Sequence, residues 1–573
     1  MAAGMPALRR SVKIDANGNT KVDIKAKVTG VLLQRIATLG GTVINSFPQF
    51  NAIQANMPIS QIQKLAAEAD VVFIREAIPP MLNKTNTSEG DVAHTADLAR
   101  TAFSVNGAGV KVGVLSDSAS AARLTALQAS GDLPGVTVVA SATGTDEGAA
   151  MLEIVHDLAP GAQLYFATAI GGEATFATNI QALATAGCDV IVDDIGYLTE
   201  PVFQDGIVAQ AVDTVAASGV AYFSSAGNSG NLNDGTSGVW EGDFSSTAAP
   251  GAIGSGNAHD FGGGLNYVTI TGDSPSYFTL QWSDPSGGSS NDYDLYLMNS
   301  ALTTVYDSST IVQSGTQDPL EYINSGPYND VGNKLVIIKK TGEAARYLHL
   351  NTNRGRLSAG TAGQTSAHSC ANGSFGVAAV DATTAHGAGG VFNASETIET
   401  FSSDGPRRVF FNGAGTAYTP GNFLATGGQL RQKPDLTAAD GVACATPGFN
   451  PFYGTSAAAP HAAAIAALLI SQGSATTPAG IRQAFANSSL DIEAAGVDRD
   501  SGVGIVMANA ALTYAATYTL TYMAGANGSI TGDSPQTINH GSDGAEVTAV
   551  PAANYHFVKW SDDVMTASRT DTN

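Results

Sequence analysis

The segment FYGTSAAAPHAAAIAALLI, residues 452–470, puts a serine at the start of a helix made of small residues. There Ser456 meets free backbone N–H groups and the positive end of the helix dipole, which favour negative charge developing beside its oxygen. Such a hydroxyl is a candidate nucleophile if a base stands within reach of its proton. Pro460 is expected in the first turn, where a missing N–H costs little. The structural alternative is an ordinary Ala-rich helix capped by a serine. Three more polar residues stand where apolar strands end: Asp117 after VKVGVLS, Asp194 in CDVIVDDIGY and Asn228 in VAYFSSAGN. In an open α/β sheet, ligands bind beyond the carboxyl ends of the strands.

The elements that must carry these residues follow from periodicity. From about residue 104 to 250, apolar strands alternate with helical stretches such as VAQAVDTVAASG. That alternation predicts a parallel sheet covered on both faces. Residues 259–358 break it: YFTLQW and DYDLYLMN alternate at period two, with Tyr293, Leu295 and Leu297 sharing one face. This reads as a β-sandwich insertion. The α/β pattern resumes near Phe375 and ends near Ala516. Residues 20–80 read βαββαβ, a ferredoxin-like unit, with NKTNTSEGD after it as a linker. Residues 517–573 are short strands and turns, one β-repeat cut short.

The composition narrows the classes. A chain of 573 residues holds three or four domains. With 50 acidic and 27 basic residues, a formal net charge of -23, it repels phosphate backbones, so nucleic acid is excluded as a partner. No apolar run approaches the ~20 residues that span a bilayer. MAAGMPALRRSV lacks the apolar core of a signal peptide, so export requires a signal already removed or lying outside this sequence. The acidic, Lys-poor composition is common among secreted proteins. Cys188, Cys370 and Cys444 fit no disulfide framework or metal knuckle, and three buried thiols are expected, one disulfide being the alternative.

Gly454, Thr455, Ser456, Ala458, Pro460 and His461 match the nucleophile motif Gly-Thr-Ser-x-Ala-x-Pro-His of the subtilisin-like serine peptidases. Other segments resemble that family in the same order. VGVLSDS is similar to the strand carrying the catalytic aspartate, which implies Asp117, although Ser116 takes the place right after the apolar run where the family usually has Asp. ASGVAYFSSAGNSG resembles the oxyanion segment, implying Asn228. DVIVDDIGY resembles a wall of the substrate cleft, implying Asp194, Ile195 and Gly196. The resemblance covers about residues 104–515 outside the insertion. Residues 20–80 resemble the family's inhibitory propeptide, 259–358 a pre-peptidase C-terminal domain, and 517–573 a bacterial cell-surface β-repeat.

The departure is at the base. No His-Gly-Thr-His exists, and TDEGAAMLEIVHDLAPGAQL puts Glu147-Gly148 where the family's His-Gly would fall. Sedolisins, which are relatives, use a glutamate there, with an aspartate four residues later and an oxyanion Asp. This chain has Met151 and Asn228 at those places. A free Glu, of pKa about 4.3, is a weak base at neutral pH. Asp117 and Asp194 nearby would raise it and share a proton with it. The alternative is a carboxylate that merely favours the helix N-terminus. Histidines between Asp117 and Ser456 are His156, His259, His349, His368 and His386. His156 is nine residues past Glu147, about 13 Å along a helix at 1.5 Å per residue. His368 lies in a loop, and His461 is expected to pack.

The resemblance implies a secreted serine endopeptidase acting on proteins or peptides, with cell-surface association through the terminal repeat. No cofactor is required. The acidic segments GVDRDSGVG and NDYDLY permit structural calcium. The competing reading is an inactive scaffold whose β-modules bind surface polymer or protein.

Overall fold

Seven strands form one parallel sheet in the order Leu436–Asp440, Ser374–Asp381, Ala221–Ser225, Val190–Asp193, Lys111–Ser116, Gln163–Thr168 and Val136–Val138. The computed structural model describes residues 18–77, 81–82, 89–254, 256–272, 277–383, 385, 390–473, 475–514, 517–539 and 543–571. MAAGMPALRRSV, most of NKTNTSEGD and the histidine at 386 lie outside the described residues. The central strands are near-continuous Val, Ile, Phe and Ala because both faces are covered. The helices Glu147–Leu158 and Thr455–Gln472 pack into one core cluster, and Glu173–Thr185 and Ile207–Ala217 into another. The helix Thr455–Gln472 is buried from Thr455 to Leu469. Only alanine-sized side chains let a helix run that close to a sheet on nearly all sides. Pro460 is its sixth residue, in the second turn and not the first. Its missing N–H leaves the carbonyl of Ser456 without the usual helical donor.

The insertion is a two-sheet sandwich. One sheet orders Val239–Asp243, Tyr347–Asn351, Tyr277–Trp282 and Leu320–Asn324; the other is centred on Lys334–Lys339. Phe278, Leu280, Trp282, Tyr293, Leu295 and Leu297 fill the space between them. It therefore begins near Val239, some twenty residues before the expected 259. Val239–Asp243 is a short Gly-containing strand that pairs with Tyr347–Asn351, about a hundred residues on. Local pattern does not report such a contact.

The N-terminal unit runs Asn19–Ala26, Gly30–Thr38, Thr42–Phe47, Ala52–Pro58, Ile62–Ala66, Val71–Glu76, with strand order second, third, first, fourth. Its own core holds Val22, Ile24, Leu32, Ile36, Ile53 and Met57. Its sheet leans on the sheet domain, where Arg75 pairs with Glu173 at 3.4 Å and the Asn45 amide donates to the Gly171 carbonyl at 3.4 Å. Beyond it, Met81–Leu82 forms an antiparallel pair with Ile195–Gly196. The C-terminal region pairs Thr517–Leu520 with Gln536–Asn539, and Val547–Pro551 with Gly528–Thr531 and Ser568–Arg569. Cys188, Cys370 and Cys444 are free and buried. No helix among the described residues is long and apolar enough to cross a membrane.

Candidate active site

Asp117, Asp194 and Asn228 follow adjacent or near-adjacent strands of the sheet, and the helix carrying Ser456 starts at the same edge. Gly454 turns the chain into that helix at φ 129°, and its N–H donates to Asp440 Oδ2 at 2.7 Å. An L side chain is strained at that φ.

Glu147 opens the helix Glu147–Leu158 and is fully buried. Its place is fixed by Asp117, a carboxylate ringed by donors. Oδ1 accepts from the Glu147 N–H at 3.0 Å and from the Ser118 N–H; Oδ2 accepts from the Thr145 hydroxyl at 2.7 Å and from the Thr145 N–H. Asp117 thus caps the helix that carries Glu147, as an anion at a helix N-terminus should. Asp146, in the left-handed region at φ 66°, holds the same turn through the Ser120 N–H at 2.7 Å and hydroxyl at 2.9 Å. Gly144 and Gly148 permit the close approach. A Cβ on Gly144 would stand 2.4 Å from Asp117 Oδ2, and one on Gly148 would stand 2.4 Å from the Phe166 ring.

The Glu147 carboxyl lies against the Asp194 carboxyl and the Ser456 hydroxyl. Asp194 in turn approaches the hydroxyls of Ser116 and Ser456. Asp194, expected on the cleft wall beside Ile195, therefore belongs to the carboxyl cluster, and Asp117 meets Glu147 through its backbone. Burial pushes Glu147 well above the ordinary carboxylate range, and the charges of Asp194 and Asp117 push it further. Burial, then the charges of Asp117 and Asp193, raise Asp194 to about 8, with the Ser116 and Ser456 hydroxyls opposing. Two carboxyls in contact in a dry site share a proton.

Asn228 Oδ1 accepts from both donors of Thr455, N–H at 3.0 Å and hydroxyl at 2.8 Å. Two donors on one atom identify it as the oxygen. The Nδ2 group is thereby the donor end of the amide, and Thr455 is the residue just before Ser456.

The histidines are placed elsewhere. His368 is clamped between Asp193 at 3.0 Å and Glu200 at 2.9 Å, whose charges outweigh its burial and raise it to about 10. His349 pairs with Glu241 at 2.6 Å, His259 accepts from the Ser245 N–H at 3.2 Å, and His461 contacts the Ala457 carbonyl at 2.7 Å and stacks near His94. His156 lies two and a half turns along the helix from Glu147. Among the described residues no group of three or more His, Cys, Asp and Glu could hold a metal ion. In the two acidic segments, Asp294 pairs with Lys340, and Asp498 accepts from the Asp500 and Ser501 N–H groups.

The Subtilase family profile matches residues 135–504, and that of the Divergent InlB B-repeat domain matches residues 518–573. Among solved structures, the chain is similar to the CspB protease of Clostridium perfringens, at 13% identity and a TM-score of 0.47 over 73% of this chain and 97% of that one. It is also similar to the epidermin leader peptide processing serine protease (EpiP) of Staphylococcus aureus, at 10% identity and a TM-score of 0.43 over 87% and 99%. No curated protein matches. The family match takes in more than half of the chain, including Glu147, Asp194, Asn228 and Ser456. On that match, carried by a parallel seven-stranded sheet with a Gly-Thr-Ser helix start at its edge, the chain belongs to the subtilase family of serine peptidases.

Proposed function

We propose that this subtilase is a secreted serine endopeptidase in which Ser456 attacks the scissile carbonyl and Glu147, in place of a histidine, takes the Ser456 proton. The observation that carries the reading is the contact of Glu147 with both Ser456 and Asp194. In the singly protonated pair the proton is shared between the two carboxyls, and Glu147 acts as base in the microstate in which Asp194 holds it. As Ser456 Oγ bonds to the carbonyl carbon, its proton passes to Glu147, and the carbonyl oxygen gains a charge met by Asn228 Nδ2 and the start of the helix. Glu147 then returns the proton to the amine as the C–N bond breaks, leaving an ester on Ser456. Water then attacks the ester carbonyl and gives a proton to Glu147, which passes it to Ser456 Oγ as the ester C–O bond breaks and the acid product leaves. Asp117 is a positioning residue, acting through the backbone of Glu147.

Ile195 and Gly196 bind the substrate backbone as an added strand. The N-terminal domain acts as an attached inhibitor whose Met81–Leu82 segment occupies that edge. Maturation cleavage falls between residues 81 and 103. The terminal repeat associates with a cell surface.

A fluorophosphonate probe tests the reading. It should label the protein at Ser456 and fail on Ser456→Ala, while Glu147→Gln, whose amide accepts no proton, should lose most labelling and His156→Ala should keep it. Absence of labelling in the wild type would favour the inactive scaffold.

A further inference from the structure

The sandwich reaches the cleft. A cavity of about 60 Å³ opens between the Ile195–Gly196 strand and the turn Ser225–Gly227 that leads to Asn228. A chain laid along Ile195–Gly196, as Met81–Leu82 is, passes its mouth. Its far side is made by the insertion, through Thr279 and Gln281 of one strand and His349 and Asn351 of the neighbouring one. Gln281 joins the two domains: its amide donates to the Glu200 carbonyl at 3.0 Å, and its Oε1 accepts from the Val202 N–H at 3.0 Å. Arg354, three residues past Asn351, feels the charge of Glu147, so the same loop comes within electrostatic reach of the carboxyl cluster.

The chemistry of this cavity is specific. His349 is buried, at 1% exposure. Its Nδ1 meets Glu241 Oε1 at 2.6 Å, while Arg407 also holds Glu241 at 2.6 Å. Burial and the Arg407 charge depress the imidazole, so it is neutral, with its one proton on Nδ1 toward Glu241. The other nitrogen, Nε2, is buried and has no partner among the described residues. It is a lone-pair acceptor at the cavity wall, and leaving it unmet is unfavourable. Glu200 also lines the cavity, but its oxygens are engaged by His368 and by the Tyr197 N–H at 3.2 Å. No carboxylate oxygen of Glu200 is left over to hold a cation. At roughly 10–15 Å³ per water on this measure, the space holds about four waters, the bulk of a three- or four-atom side chain.

We propose that the β-sandwich insertion determines substrate choice: His349 Nε2, flanked by Thr279 and Asn351, accepts a hydrogen bond from a small hydroxyl or carboxamide side chain, so that the residue donating the cleaved carbonyl is threonine, serine or asparagine. This rests on the peptidase reading above. The sharpest comparison is between side chains of equal shape, threonine against valine and asparagine against leucine. A site that must pair a buried polar group rejects the analogue lacking it far more strongly than one that merely measures size.

The test is kcat/KM for a peptide series varied only at that residue, with fluorophosphonate labelling of Ser456 measured in parallel on the same protein. Threonine should exceed valine, and asparagine leucine, by about tenfold or more, with arginine and the aromatic residues cleaved least. His349→Phe should bring the threonine-to-valine ratio down to about one; should that variant not fold, the wild-type ratio decides alone. A labelled enzyme that prefers valine, leucine, arginine or an aromatic residue, or that cleaves no member, overturns this inference and leaves the peptidase reading standing. A variant that keeps the wild-type ratio removes His349 from it. An unlabelled, inactive wild type overturns both.

Discussion

Both carboxyls of the Glu147–Asp194 pair are raised, chiefly by burial, and their titration belongs to the pair. In the proposed reaction the working form carries one proton on the two. It is lost at low pH when both are protonated and at high pH when neither is, with Asp194 raised to about 8. Activity should therefore fall as pH drops below the raised range of the pair, since both carboxyls are then protonated and neither can accept the Ser456 proton, and should decline again once the pair has lost its second proton. A rate profile with a limb near 6.5 that vanishes in His156→Ala would sink the carboxylate base. The same shifts act on stability. A carboxyl raised in the folded state binds more protons there than in the unfolded chain, so stability falls as pH rises from the ordinary carboxylate range toward the folded pKa. Glu147→Gln should then abolish most turnover yet unfold at a higher temperature than wild type at pH 8, by about 1–3 kcal/mol of removed burial penalty. That advantage should shrink toward pH 4. Ser456 and Asn228 were legible because their motifs are local strings. For Asp194 the sequence supports both a place on the cleft wall and one beside Glu147, because DVIVDDIGY does not say which way its two acids face. Strand alternation sends Asp193 to His368 and leaves Asp194 to Ser456.

The start of the helix Glu147–Leu158 is built by a loop folding back on the strand Lys111–Ser116, and two glycines make room for it. Gly148→Ala tests that fit. The new methyl would meet the Phe166 ring at 2.4 Å and the Ser118 carbonyl at 2.9 Å, neither of which yields without shifting the helix. The expected result is a loss of about 1–3 kcal/mol in stability and a fall in turnover on the order of 10²-fold, since a 1 Å displacement of a catalytic group has that effect. Melting temperature and kcat on one preparation would settle it; unchanged kcat would mean that Glu147 tolerates displacement. The resemblance of TDEGAAMLEIVHDLAPGAQL to the family's segment indicates this helix and Glu147 at its start. It did not indicate that Asp117 would meet the Glu147 backbone, because that bond depends on where the loop 141–146 returns. The early start of the sandwich at Val239 escaped for a related reason, as its partner strand lies far along the chain.

At the scale of the whole chain, three bodies meet around one cleft. The N-terminal sheet presents Arg75, which pairs with Glu173 at 3.4 Å and lies 3.8 Å from Asp23. The sandwich supplies a cavity wall, and the sheet domain carries the carboxyls and Ser456. The parallel sheet, the ferredoxin-like order and the sandwich class were all legible from periodicity, since each buries a face of regular period. Their mutual arrangement was not, because contacts such as Arg75 with Glu173 and Gln281 with Val202 join distant segments that no local period reports. The pairing of Met81–Leu82 with Ile195–Gly196 has a kinetic meaning. A strand already seated on the cleft edge by its own chain needs no encounter, and its effective concentration is fixed by the tether and not by the amount of protein. Release of the N-terminal domain should therefore be first order. Its half-life, followed by gel, should stay the same across a hundredfold dilution, and mixing in the Ser456→Ala protein should leave that second population uncut. A half-life that lengthens in proportion to dilution would mean that one molecule processes another, and that the strand at Ile195–Gly196 is a resting contact and not the bond about to be cut.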